Sequence, residues 1–136
     1  MNRILLIDDD IDDAGLFREA LKRIAPSILF QHFFEGAEAL RHLMGEKDPL
    51  PDIIFVDINM PKINGWEFLV SFRAVRHLQH VPVIIYTTSS EDREIKKAKA
   101  LGANGFISKP DSFTQLKETL AAILAQPTEL LAKTLD

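Results

Sequence analysis

The sequence predicts an α/β fold in which a five-stranded parallel sheet carries helices on both faces. Five short apolar runs recur along the chain, and most are continuous rather than alternating in polarity, which is typical of strands covered on both faces. Between them lie segments with apolar residues three or four positions apart, which predict amphipathic helices. A strand followed by a helix, five times over, favours parallel pairing through right-handed crossovers.

Each predicted element is placed by its own apolar pattern. The strands cover residues 4–7, 28–30 with 33–34, 53–56, 81–86 and 105–107, and the second, least regular one is expected nearer an edge. The helices are marked by Ala14, Phe17, Leu21 and Ile24; Ala37, Leu40, Leu43 and Met44; Phe68, Phe72 and Val75; Ile95, Ala98 and Leu101; and Leu116, Leu120, Ile123 and Leu124. Gly102 falls where the fourth helix should end and suits a left-handed C-terminal cap.

Length and composition indicate a single domain without covalent cross-links. The 136 residues suit one domain of ordinary size, and the absence of cysteine excludes disulfides, thiolate metal sites and thiol catalysis. A net charge of -4 argues against binding nucleic acid by charge alone. No apolar run reaches the length of a membrane span. We therefore expect a cytoplasmic protein that binds neither nucleic acid nor membranes.

Acidic residues end two of the predicted strands. Asp8, Asp9 and Asp57 directly follow buried apolar runs, where an uncompensated acid is costly. The carboxyl ends of parallel strands meet at one edge of the sheet, and hard carboxylate oxygens suit Mg2+. The sequence therefore predicts a Mg2+ site there. Three neighbouring acids fall before or within the first helical turn, where capping and the helix dipole favour an acid. These helix-start acids are Asp10, Asp12 and Asp13.

A hydroxyl and an ammonium are expected at the same edge. Thr87 follows the fourth strand and Lys109 the fifth. Taken singly, each has an ordinary explanation, since threonine often closes a strand and a loop lysine is usually solvated. Together with the acids they could contact a phosphoryl group, whose charge Mg2+ and the ammonium would share. Transfer onto the carboxylate of Asp57 needs little beyond positioning and charge neutralisation.

At these residues the chain resembles the receiver domains of two-component response regulators. The resemblance rests on the segments LLIDDD, PDIIFVDINMPKINGWEFL, VPVIIYTTS and GANGFISKP, in that order and at family-like spacing. It covers residues 3–125 and implies the flavodoxin-like (βα)5 fold of that family. The acid-rich first loop and the TTS segment look most like the stand-alone regulators that serve bacterial phytochromes.

The resemblance implies a set of metal ligands around Asp57, the phosphoacceptor. Asp9 is expected to bind Mg2+ directly, Asp8 mainly through water, and Asn59 through its backbone carbonyl. An alternative alignment would make Asp9 and Asp10 the acidic pair. The pair Asp8 and Asp9 is preferred because it keeps a set of apolar residues facing the sheet. That set is Leu16, Phe17, Ala20 and Leu21.

The resemblance also implies which residues bind the phosphoryl group and which residue changes position in response to it. Thr87 is expected to bond a phosphoryl oxygen and move toward it, and Lys109 to pair with Asp57 or its phosphoryl group. Pro110 is expected to follow a cis bond, which only proline makes cheap. The aromatic switch position holds Phe106, which cannot donate the hydroxyl hydrogen bond of the tyrosine found in many relatives. Coupling from Thr87 to Phe106 is therefore expected to be steric.

Two further features of the matched segments are carried over from the family. Pro61 and Gly65 match the loop after the phosphoacceptor, where Gly65 is expected to permit a backbone turn. Thr88 stands where small residues are common, so its bulk is expected to restrict access to the pocket.

The resemblance implies a single-domain response regulator in a phosphorelay. A sensor histidine kinase, with a phytochrome as one candidate, is expected to supply the phosphoryl group. Output is expected through protein contacts, onward transfer to a histidine phosphotransfer protein, or a homodimer through the fourth helix, fifth strand and fifth helix. The receiver domain is assigned to residues 1–126, and residues 127–136 to a tail that is either frayed or a docking or dimerisation element.

The chain is not expected to be a metabolic enzyme, although it would catalyse its own phosphorylation and dephosphorylation. One alternative is a phosphohydrolase that uses Asp57 as a transient nucleophile on small substrates. Asn59, where such an enzyme commonly places a general acid, disfavours it. Another is a flavodoxin-like cofactor binder, which the acidic first loop disfavours because it would repel a cofactor phosphate.

Overall fold

The computed structural model describes residues 2–45, 49–89 and 91–126. Five parallel strands form one sheet in the order β2-β1-β3-β4-β5, so the second strand lies at an edge, as its irregular pattern predicts. The predicted α/β class and the flavodoxin-like arrangement are confirmed. The strands are β1 (Arg3–Ile7), β2 (Leu29–Phe33), β3 (Ile53–Val56), β4 (Val83–Thr87) and β5 (Gly105–Ser108).

Four helices connect the strands and a fifth follows the last strand, and polar side chains cap three of these five helices at their first turns. Asp10, Asn64 and Ser112 each accept hydrogen bonds from backbone N–H groups that the helix itself cannot satisfy. Asn64 and Glu67 form a reciprocal capping box. The helices are α1 (Ile11–Ile24), α2 (Gly36–Met44), α3 (Gly65–Ala74), α4 (Asp92–Ala100) and α5 (Phe113–Leu124), with a 3-10 turn at Arg76–Leu78.

The sheet separates two apolar layers. Helices α1 and α5 pack together on one face, whereas α2, α3 and α4 cover the other. Successive strand residues point to opposite layers, so Ile4 and Leu6 face α1 and α5 while Leu5 and Ile7 face the other helices. Burial on both sides explains why the central strands have continuous apolar runs.

Two helix residues expected to face the core are instead exposed. Leu16 is 50% exposed and Met44 is 53% exposed. Leu16 and Phe17 are about 100° apart around a helix, and Phe17 takes the buried position with Ala20 and Leu21, which leaves Leu16 at the margin of the buried face. Along α2, Ala39 and Leu43 supply the buried row.

Helix α4 ends as its sequence predicts. Gly102 has a φ of 95°, and its N–H donates to the carbonyl of Lys99 at 3.1 Å. The next residue, Ala103, donates to the carbonyl of Ala98 at 2.9 Å. These two bonds are those of a Schellman cap, which needs a left-handed residue that glycine adopts without strain.

No helix in the described ranges is long and apolar enough to cross a membrane. The predicted tail, residues 127–136, lies outside the described residues.

Candidate functional site

The site lies at the carboxyl ends of β1 and β3, where the strand order reverses. Asp8 directly follows β1, and its backbone N–H donates to the carbonyl of Phe33 at 3.0 Å. Asp57 directly follows β3, and its N–H donates to the carbonyl of Ile7 at 3.0 Å. These bonds extend the sheet by one residue and fix both acids. Open parallel sheets bind ligands at such a point.

Three carboxylates converge there. Oxygens of Asp8, Asp9 and Asp57 lie within 4.8 Å of one another. Asp8 is fully buried and Asp57 nearly so, at 6% exposure, while Asp9 is exposed. Burial raises the pKa of the Asp8 carboxyl above its usual value, against the lowering effect of nearby donors. The cluster therefore has an unfavourable concentration of negative charge that a cation would relieve.

Asp10 does not join this cluster. Its Oδ1 accepts hydrogen bonds from the N–H groups of Asp12 and Asp13 at 3.0 Å each, which makes it the N-cap of α1. Its own N–H donates to Asp8 Oδ1 at 2.9 Å. The geometry therefore favours Asp8 and Asp9 as the acidic pair over Asp9 and Asp10.

A single ammonium contacts three carboxylates at the site. Lys109 Nζ lies 2.8 Å from Oδ2 of Asp8 and of Asp13, and 3.1 Å from Oδ2 of Asp57. The contacts with Asp13 and Asp57 are hydrogen bonds, and the contact with Asp8 is an ion pair. Burial alone would lower the pKa of Lys109, but these carboxylates outweigh it and raise the pKa. Lys109 is thus held as a cation.

Asp13 is a member of the site that the sequence reasoning missed. It was assigned to the start of α1, and it does lie in the first turn of that helix. Its carboxylate nevertheless reaches Lys109, 96 residues further along the chain. The sequence offered no local signal for this contact, because an acid at this position is already explained by the helix start.

The hydroxyl of Thr87 has no hydrogen-bond partner, although the residue has no exposed surface. Buried polar groups are normally satisfied, so this atom needs a physical explanation. A hydroxyl at the end of β4 fits an anionic ligand. The three converging carboxylates fit a divalent cation, and Asp8 Oδ2 is already paired with the Lys109 ammonium at 2.8 Å. The residues present therefore fit both groups.

The loop after Asp57 is shaped by a close approach of backbones. The N–H of Asn59 donates to Asp57 Oδ1 at 3.3 Å, and the N–H of Gly65 donates to the carbonyl of Ile58 at 2.9 Å. A Cβ on Gly65 would lie 2.4 Å from the carbonyl oxygen of Asp57. Gly65 serves the turn by leaving room for this close approach, since its φ is not positive. Lys62, with a φ of 66°, has the left-handed conformation in this loop.

The prediction of a cis peptide bond before Pro110 is wrong. No peptide bond in the described part of the chain is cis, so Lys109 and Pro110 are joined by the trans form. That form is favoured by about 0.5–1 kcal/mol even before proline. The N–H of Lys109 donates to the carbonyl of Thr87 at 2.6 Å, which holds the residue after β5 next to the last residue of β4.

The switch candidates border the layer of α2, α3 and α4. Phe106 is half-buried and packs against that layer, one strand away from Thr87. Thr88 is exposed beside the buried Thr87. Trp66, at the start of α3, is also half-buried, and Lys97 Nζ of α4 lies 4.9 Å from its ring centroid. The contact between Trp66 and Lys97 joins the start of α3 to α4.

Known proteins resemble the chain over most of its length. The family model described as the response regulator receiver domain matches residues 4–121. Chemotaxis protein CheY-3 of Vibrio cholerae serotype O1 is 32% identical over 113 residues, which cover 83% of this chain and 87% of that protein.

Solved structures agree with this match. The phosphorylated cyanobacterial phytochrome response regulator RcpA superimposes with a TM-score of 0.82 at 29% identity, over 90% of both chains. The Mn2+-bound form of the response regulator Rcp1 superimposes with a TM-score of 0.79 at 28% identity, over 90% of this chain and 91% of the other. The chain belongs to the response regulator receiver domain family, which acts in phosphoryl-accepting signal transduction rather than in metabolism.

Proposed function

We propose that Asp57 accepts a phosphoryl group from a phosphorylated histidine and that this modification switches the protein contacts of the chain. The observation that carries the proposal is the position of Asp57. Its carboxylate ends a buried central strand, lies within reach of Asp8 and Asp9, and is hydrogen-bonded to Lys109. A nucleophile, a cation and potential metal ligands thus meet at one point.

The proposed metal is Mg2+, held by Asp8, Asp9 and Asp57 with the backbone carbonyl of Asn59. When bound, the ion supplies positive charge that offsets the clustered carboxylates and the phosphoryl oxygens. The Mn2+-bound form of Rcp1 supports a divalent cation in a protein of this fold. The carboxylate cluster of this chain supports the same assignment.

The reaction assigned to the chain's own residues is an in-line displacement. A carboxylate oxygen of Asp57 attacks phosphorus, the P–O bond forms, and the P–N bond to the donor histidine breaks with its electron pair leaving on nitrogen. The Lys109 ammonium neutralises a phosphoryl oxygen, and the Thr87 hydroxyl donates a hydrogen bond to another. Attack of water on the same phosphorus, which returns free Asp57, would end the signal.

Output is proposed to pass from Thr87 to Phe106 by steric repacking. Once the Thr87 hydroxyl bonds a phosphoryl oxygen, the space beside β4 changes and Phe106 can turn inward. The affected surface comprises α4, β5 and α5, which is the proposed face for a partner protein or a second copy. Exposed Thr88 is proposed to restrict access to the pocket.

The chain is proposed to act in the cytoplasm. The proposed donor is a sensor histidine kinase, and a phytochrome is one candidate sensor. The likeness to the phytochrome response regulator RcpA supports this choice. A histidine phosphotransfer protein is the proposed partner if the phosphoryl group is relayed onward. The domain is proposed to occupy residues 1–126 and the tail residues 127–136.

The alternative of a phosphohydrolase acting on small substrates is not favoured. The family match is to signalling proteins. The position two residues after Asp57 holds Asn59, whose amide cannot serve as a general acid.

Binding of beryllofluoride, a stable mimic of the phosphoryl group, tests the proposal. We expect wild type to bind it only with Mg2+ present, giving a bound 19F NMR signal that Asp57→Asn removes. The physical reason is that the mimic needs both a carboxylate oxygen and a neutralising cation. Asp12→Asn, an exposed acid on α1, serves as the control and should bind normally. A wild type that binds no beryllofluoride, or a variant lacking Asp57 that still does, would overturn the proposal.

A further inference from the structure

Asp13 holds Lys109 from outside the carboxylate cluster proposed to bind the metal. Its Oδ2 accepts a hydrogen bond from Lys109 Nζ at 2.8 Å. The other two partners of the ammonium, Asp8 and Asp57, belong to the cluster, whereas Asp13 does not. Among the three contacting carboxylates, only that of Asp13 keeps its full charge for Lys109 once a divalent cation is shared by the others.

The ring of Tyr86 covers a second side of the Lys109 ammonium. Lys109 Nζ lies 5.5 Å from the ring centroid, within the range of a cation–π contact. Tyr86 is 3% exposed and packs edge-on against Phe17, with ring centroids 5.5 Å apart, so neighbouring side chains fix the ring. The ammonium therefore rests between a carboxylate and an aromatic face, and neither belongs to the metal cluster.

We propose that Asp13 is a positioning residue for phosphoryl transfer, which keeps the Lys109 ammonium beside Asp57 when the cluster holds its cation. This inference rests on the proposed function. An ammonium has three N–H donors, so one can stay on Asp13 while another reaches a phosphoryl oxygen. Without that anchor, Lys109 spends part of its time away from the acceptor, and the pocket holds a phosphoryl group less well.

Charge counting alone predicts the opposite effect, which makes the inference testable. Asp13 adds a negative charge beside a pocket that must receive an anion, so removing that charge should by itself strengthen anion binding. Asp12 provides the matched control. It lies one residue earlier in the same helical turn, is exposed, and makes no side-chain contact with Lys109. Asp12→Asn therefore measures the charge effect without the loss of the anchor.

The experiment compares beryllofluoride affinity at saturating Mg2+ for wild type, Asp12→Asn and Asp13→Asn. We expect Asp13→Asn to bind about tenfold more weakly, as for a charge-assisted hydrogen bond at a partly exposed carboxylate, and Asp12→Asn to bind as wild type or more tightly. The 15N signal of the Lys109 ammonium, identified with Lys109→Arg, gives a second readout. It should be visible in wild type and Asp12→Asn, and lost to solvent exchange in Asp13→Asn.

The outcomes separate this inference from the proposed function. If Asp13→Asn binds beryllofluoride as tightly as Asp12→Asn, or keeps the protected Lys109 signal, the positioning role of Asp13 is refuted while the proposed function stands. A wild type that binds no beryllofluoride refutes both. Thermal unfolding of each variant establishes that weaker binding reflects the site rather than loss of the fold.

Discussion

Replacement of Gly65 by alanine is expected to destabilise the protein by about 3 kcal/mol, at the upper end of overpacking effects, and to abolish beryllofluoride binding. The added Cβ would lie 2.4 Å from the carbonyl oxygen of Asp57 and 2.8 Å from Cα of Ile58. Both are backbone atoms of the acceptor strand's end, so neither can rotate away. Relief of the clash must move Asp57 itself. Chemical denaturation with beryllofluoride titration measures both losses.

Gly15 offers a matched control for this substitution. It lies within α1, and a Cβ there meets nothing within 4 Å. Gly15→Ala is therefore expected to stabilise the protein by about 0.5–1 kcal/mol through the helix preference of alanine. If Gly65→Ala proves as harmless as Gly15→Ala, the close approach of α3 to the acceptor loop does not constrain the site.

Lys109→Met is expected to lower the free energy of unfolding of the metal-free protein by about 3–5 kcal/mol, as when one partner of a buried ion pair is removed. The lysine side chain is only 9% exposed and contacts Asp8, Asp13 and Asp57. Methionine keeps most of the apolar stem but leaves the acids uncompensated. Mg2+ should restore part of the loss, so denaturation with and without Mg2+ should show a larger metal-dependent gain than in wild type.

Lys62→Met provides the comparison for an exposed ion pair. Lys62 Nζ lies 3.3 Å from Glu35 Oε1, with the lysine side chain 69% exposed. Such a pair is worth about 0–1 kcal/mol, so its loss should barely change stability or the response to Mg2+. Equal effects of the two substitutions would contradict the view that Lys109 balances the charge of the acidic cluster.

The sheet and most of the site could be predicted because each depends on residues that are adjacent in the sequence. Strands β1, β3 and β4 have continuous apolar runs, and polar residues follow them directly. Once the strands are parallel, their carboxyl ends must meet, so Asp8, Asp57 and Thr87 were grouped without any distance information.

Two features were harder to predict: which helix residues face the sheet, and the contact of Asp13 with Lys109. The first depends on how each helix is rotated about its axis, and the second depends on contacts between distant parts of the chain. Met44 fits the apolar spacing of α2, and the family register places Leu16 toward the sheet, yet Leu43 and Phe17 take the buried positions. The acid at Asp13 suited a helix start, so nothing local required a further partner. Its contact with Lys109 depends on how α1 lies over the sheet, which sequence periodicity does not specify.

The close approach at Gly65 escaped prediction for a related reason. Glycine after a strand usually signals an unusual φ, whereas here it leaves room for the carbonyl of Asp57. Sequence alone does not distinguish these two uses of a missing side chain.

Intact-mass analysis after incubation with acetyl phosphate tests most directly whether Asp57 carries the phosphoryl group. Wild type and Asp57→Asn are compared with Mg2+ and with a chelator, in each case at the same protein concentration. We predict that wild type gains one phosphoryl mass from acetyl phosphate when Mg2+ is present but not when the chelator is present. Asp57→Asn should gain no mass under either condition. The same gain in Asp57→Asn, or a gain in wild type that persists without the metal, would contradict the account.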